Sequence, residues 1–119
     1  MVYLASTLSL AALEYLVHVD PEDVPDDLVA IAIALPSTAT IDAWTASDLP
    51  VDWRQATAPL SCQELGDAWA TGGRALGLLV PSVLVPEETN LLLNPKHALM
   101  PQVEITQVRR FVYDPRLIG

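Results

Sequence analysis

The chain has 119 residues, 51% of them apolar, and a formal net charge of −9. That length supports one domain with a core and little to spare, and the apolar content excludes global disorder. So acidic a balance argues against direct contact with nucleic acid, whose phosphates it repels. The longest apolar run, Leu28 to Leu35, falls well short of the roughly 18 residues needed to cross a bilayer, so no membrane role is expected. The N-terminus lacks the basic start of a secretory signal, and Glu14 interrupts its apolar stretch, so a cytoplasmic location is expected.

"MVYLAS" reads as a short strand running into a helix cap, with Ser6 or Thr7 able to accept from a free N–H of the first turn. The helix that follows extends to about His18 and stops before Asp20 and Pro21. Apolar residues cover nearly its whole circumference, which predicts burial on most sides, and Glu14 stands in the middle of it. A carboxylate that loses hydration needs donors or must give up its charge. Three readings remain open at this point: Glu14 marks a solvent stripe, pairs with His18, or belongs to a site.

"DPEDVPDD" at Asp20 to Asp27 places five carboxylates in eight positions. It reads as a solvated loop, with a contact surface for a basic partner as the sharper alternative. "DLVAIAIALP" alternates large Val and Ile with small Ala between prolines, the pattern of a buried strand. Residues 37 to 59 read mostly as loop, with a short strand around Ile41 to Trp44. Ser61 and Glu64 form a capping box for a helix whose inward stripe is Leu65, Ala68 and Trp69 and whose end is set by Gly72 and Gly73. The single cysteine, Cys62, rules out an internal disulfide and offers no metal-ligand pair. Lying at the helix start, remote in sequence from both histidines, it is not favoured as a nucleophile.

"ALGLLVPSVLVPEETNLLLNPKH" predicts paired strands, bent or at an edge because Pro81 and Pro86 restrict pairing. Ser82 sits at that bend. No Gly-x-Ser-x-Gly elbow surrounds it, so a hydrolase triad is unsupported. It is either a turn serine or one aimed into a cleft. Asn90 and Asn94 would share one side of an extended strand and read as turn caps, Asn94 and Pro95 opening a turn. Val103, Ile105 and Val108 mark a closing strand. The expected fold class is α/β (α+β), a mixed domain over residues 1–119 with about two helices on a sheet.

Three blocks in this order, "VYLASTLSLAALEYLVHVD", "LGDAWATGGRALGLLVPSVLVPEETNLLLNPKH" and "FVYDPRL", resemble the RES domain, a family of toxins from toxin–antitoxin pairs. The middle block is the specific part. The resemblance implies an ADP-ribosyltransferase-like mixed sheet and an enzyme that consumes NAD as substrate, with no metal. The family cleaves the nicotinamide–ribose bond by hydrolysis, phosphorolysis or ADP-ribosyl transfer. Its glutamate falls on Glu14 and its serine on Ser82, which are thereby the expected catalytic and NAD-contacting residues, with Tyr3 as a further contact to the dinucleotide. A carboxylate there would stabilise the oxocarbenium-like ribose left when nicotinamide departs, and Ser82 would position rather than attack. The implied partner is a helix-turn-helix antitoxin of the Xre type, which would carry any DNA contact; a homo-oligomer within that complex is compatible with the resemblance. The arginine of the family name belongs to a segment ahead of the "VYLAS" strand. The chain is therefore expected to lack the family's N-terminal part, and Arg54, Arg74, Arg109, Arg110 and Arg116 match no position of that motif. The alternative expectation is a catalytically dead remnant that binds a cognate antitoxin.

Overall fold

The computed structural model describes residues 1–55 and 60–118, without the side chain of Ser61. Strand β1 (Val2–Ala5) leads into helix α1 (Leu8–Leu16). Thr7 is the residue that caps it: its backbone is extended and its hydroxyl accepts from the Leu10 N–H at 3.1 Å, satisfying one of the free donors of the first turn. The helix ends at Leu16, short of His18. Strand β2 (Val29–Ala34) and strand β3 (Ile41–Ala43) follow, then helix α2 (Leu60–Gly72). Because α2 already includes Leu60, Ser61 lies inside it rather than at a cap; its side chain falls outside the described residues. Gly73 ends α2 with φ of +65°, a left-handed conformation that costs glycine nothing. Strands β4 (Gly77–Pro81), β5 (Thr89–Leu93) and β6 (Glu104–Arg110) precede the short helix α3 (Pro115–Ile118).

The main sheet has the order β1-β5-β4-β3, with β3 and β4 parallel and the other pairs antiparallel. It is the mixed sheet expected of an α+β domain. The core lies at its centre, where Leu76, Leu78 and Leu93 are fully buried, joined by Leu10 of α1. The indole N–H of Trp69 on α2 donates to Oδ2 of Asp42 on β3 at 2.8 Å, tying that helix to the sheet edge. After β5, the His97 N–H donates to the Asn94 carbonyl at 3.1 Å, closing the turn read from "NPKH".

Three expectations fail here. Helix α1 is not buried on most sides: Leu10 is its one buried residue, and Leu8 and Leu13 are 44% and 46% exposed, because only one face of the helix meets the sheet. The run Leu28 to Leu35 does form a strand, but not a buried one: Val29 and Ile31 are 54% and 51% exposed. Nor does the last strand close the main sheet. β2 and β6 pair with each other in a separate two-stranded antiparallel ribbon. Apolar alternation shows what a strand could bury, not whether anything covers it, and this is where the reading overreached. The ribbon also explains a break in the β6 pattern. Ile105 and Val108 are three residues apart, an odd spacing for one face, yet they stand opposite Ile33 and Ile31 because the register shifts at a bulge between Ala32 and Ile33. The Thr106 hydroxyl donates to the Ala32 carbonyl at 3.3 Å across that bulge. The radius of gyration is 15.4 Å, against about 13.5 Å for a globule of this length.

Gly77 is closely packed within the sheet. A Cβ there would lie 2.9 Å from Leu91 Cδ1 and 3.1 Å from Ile41 Cδ1, so the strand accepts no side chain without displacing two neighbours. Gly77→Val is expected to lower unfolding free energy by about 1–3 kcal/mol through overpacking, measured as a shift in the urea midpoint. An unchanged midpoint would mean that Leu91 and Ile41 move aside freely.

Candidate functional site

Helix α1 puts a carboxylate where its neighbours are Leu10, Ala11, Val17 and His18 at three- and four-residue spacings. Glu14 is half-buried and both its oxygens have donors. Ser82 Oγ donates to Oε2 at 3.2 Å, and Asn90 Nδ2 donates to Oε1 at 2.7 Å. Residues 68 and 76 positions away in sequence thus converge on one helical glutamate, from the bend after β4 and from β5. Its partner is not His18.

Ser82 is fully buried, and the bend after Pro81 explains what it does there. Its hydroxyl accepts from the N–H of Leu84 at 3.2 Å and of Val85 at 3.3 Å while it donates to Glu14. A hydroxyl has one proton and two lone pairs to offer, and all three are used. No lone pair is left for attack, so the geometry suits a positioning group rather than a nucleophile.

Asn90 is the member that sequence reasoning missed by reading it as a turn cap. Asn94 does act that way: Nδ2 donates to the Ala70 carbonyl at 2.9 Å and Oδ1 accepts from the Lys96 N–H at 3.1 Å. Asn90 instead stands inside β5, with Val80 on one side and Ala5 on the other. Besides its bond to Glu14, Nδ2 donates to the Leu4 carbonyl at 3.3 Å, which spends both amide protons. The signal was available in the sequence, since asparagine is depleted in strand interiors and needs a reason to be there.

A second anchor holds α1 about half a turn from Glu14, at Ala12. Tyr113, 5% exposed, donates its hydroxyl to the Ala12 carbonyl and lies stacked near Tyr15 and edge-on to Phe111. Burial, with Tyr15 beside it, pushes the Tyr113 hydroxyl above its usual pKa, so it stays protonated and able to donate. Tyr113 and Phe111 line a cleft of about 660 Å³ between α1, β1 and the ribbon, within the range of small-molecule sites. Tyr3 lines that cleft, as do Tyr15 and Arg109, and is 71% exposed. Glu14, Ser82 and Asn90 do not line it. A shallower cavity of about 400 Å³ lies between β3 and α2, lined by Asp42, Trp44, Trp69 and Arg74 among others. The structure therefore joins Glu14 to Ser82, whereas Tyr3 bonds neither of them; through the pairing of Ala5 with Asn90 it lies on the same sheet face as Asn90 and lines the cleft.

Cys62 carries none of this. Burial first, then the nearby Asp52 charge, raises its pKa, the opposite of what an attacking thiolate needs. The carboxylates of Asp20 to Asp27 are exposed, and Arg110 Nη2 reaches only the Asp26 carbonyl, at 3.1 Å. Among the described residues no group of three or more His, Cys, Asp or Glu could hold a metal ion.

If the Asn90 amide and the Glu14 carboxylate are coupled as drawn, a double-mutant cycle of Asn90→Ala and Glu14→Ala should give a coupling energy of about 1.5 kcal/mol, as for hydrogen bonds to charged groups. Urea unfolding of the four proteins measures it. A coupling near zero would mean that the two side chains act independently.

The RES domain model matches residues 1–114. The chain is 40% identical over 120 residues to the "Prs ADP-ribosylating toxin" of Sphingobium sp. strain YBL2, covering 99% of this chain and 74% of that protein. It is 39% identical over 117 residues to "Toxin Res" of Yersinia enterocolitica, covering 98% and 76%. To "Toxin Res" of Pseudomonas putida it is 37% identical over 119 residues, covering 98% and 79%. Matches of this length, taken with a helical glutamate, a bend serine and a strand asparagine meeting at one point, place the chain in the RES domain family.

Proposed function

We propose that the chain is the toxin of a toxin–antitoxin pair and cleaves the nicotinamide–ribose bond of NAD at Glu14. The observation that carries this reading is the fixed Glu14 carboxylate. A carboxylate offers about four lone-pair sites; Ser82 and Asn90 take one each, leaving capacity for ribose hydroxyls. The names of the relatives from Sphingobium, Yersinia and Pseudomonas support the toxin role.

In this reading the C–N bond breaks with its electron pair leaving on nicotinamide, whose ring becomes neutral, and positive charge develops on the ribose. The carboxylate stabilises that charge without needing to move, because its donors already hold it in place. Water then adds its oxygen to the ribose carbon and releases a proton, giving ADP-ribose. With phosphate or a protein side chain as acceptor the same first step yields a phosphorylated or protein-linked product. Ser82 and Asn90 act on the carboxylate and not on the substrate. The partner is an Xre-type helix-turn-helix antitoxin, consistent with an acidic chain that leaves DNA to another protein.

A second reading is favoured by one observation: neither of the two cavities described is lined by Glu14 or Ser82. On that reading the fold binds the antitoxin without turning over NAD.

Incubation of the purified chain with NAD, with and without phosphate, separates the two by nicotinamide release. Turnover that falls at least about a hundredfold in Glu14→Ala, the scale of losing an electrostatic stabiliser, supports the first; turnover unchanged in that variant overturns the assignment of Glu14. Ser82→Ala is expected to lose less, about tenfold for one positioning hydroxyl, and also to lower stability because the Leu84 and Val85 amides lose their acceptor. A folded chain with no turnover supports the second reading.

A further inference from the structure

Strand β6 pairs with β2 along one edge, and its other edge meets no strand among the described residues. All seven of its residues are exposed, Ile105 at 64% and Val108 at 57%. An unpaired edge is a template for another strand, and proteins ordinarily guard it with charge, because a second copy then brings like against like. The charges on this edge are arranged differently. Residues Glu104 to Arg109 read acid, aliphatic, polar, polar, aliphatic, base, so the segment run backwards is its own complement.

A second copy laid antiparallel about a two-fold axis between Thr106 and Gln107 would set Glu104 against Arg109 and Ile105 against Val108, each pair occurring twice. Such pairing demands that opposed side chains lie on the same face. The bulge supplies this. Ile105 and Val108 both stand opposite isoleucines of β2, and Glu104 and Arg109 both stand opposite alanines, Ala34 and Ala30. Without the bulge, an odd spacing would put Ile105 and Val108 on opposite faces and no two-fold register would match both pairs. Neither Glu104 nor Arg109 has an ion-pair partner within the described chain, where the ion pair is Arg116 with Asp114. Arg109 donates only to the Arg110 carbonyl and rests over the Phe111 ring.

We propose that β6 is the interface of a two-fold homodimer, in which the ribbons of two chains join edge to edge into a four-stranded antiparallel sheet. The contact is isologous and closed, so it stops at two copies. No residue of β6 bonds Glu14, whose donors are Ser82 and Asn90, and the proposal does not depend on what Glu14 does.

Sedimentation equilibrium of the purified chain, across a concentration series, tests this. The expected result is a monomer–dimer equilibrium whose dissociation constant rises about tenfold in Glu104→Arg or in Arg109→Glu, since each change opposes like charges at two symmetric places. The double variant, Glu104→Arg with Arg109→Glu, reverses both charges and should restore the original constant. Both side chains are exposed, and circular dichroism confirms that the variants fold. A chain monomeric at every concentration overturns the proposal and leaves the edge to a different protein. A dimer indifferent to the single reversals, or not rescued by the double one, also overturns it.

Discussion

A carboxylate inside an apolar helix has to be answered, and most of the site follows from how Glu14 is answered. Among the described residues no neighbour on its own helix bonds its side chain, so the donors come from the bend after β4 and from β5. Those two positions are adjacent in space because β4 and β5 pair antiparallel through residues 77–81 and 89–93. The same requirement fixes the docking of α1 on the sheet. It also accounts for an asparagine in a strand and for a fully buried serine, two residues that would be poor choices where they stand if Glu14 were leucine.

The local signals in the sequence were legible where one residue type has one physical job. Thr7 could cap a helix, Gly73 could take a left-handed turn, and Asn94 with Pro95 could turn the chain; each does so. The pairing of β4 with β5 was readable from two apolar runs separated by prolines. The meeting of Glu14 with Ser82 was not readable from spacing, since a separation of 68 positions measures no distance; their joint importance came from resemblance to the RES family. Asn90 escaped because its neighbours in sequence, "TNLLL", look like any strand start, and only the cross-strand position beside Ala5 reveals its task.

The failure over Leu28 to Leu35 has a different cause. Alternating Ile and Ala offers an apolar surface on both sides, the composition of a strand sandwiched between layers. Periodicity reports the capacity for burial, whereas cover is a property of the rest of the molecule. In this chain Val29 and Ile31 stay exposed among the described residues, and the radius of gyration exceeds that of a globule of this length.

The short stretch from Arg110 to Tyr113 joins these two halves of the molecule. It leaves the ribbon at the end of β6 and within three residues reaches the tyrosine that holds the backbone of α1 at Ala12. A chain that short spans at most about 10 Å when fully extended, so it has little slack. The ribbon is thereby moored to the helix by a tether with almost no slack, fastened one half-turn from Glu14.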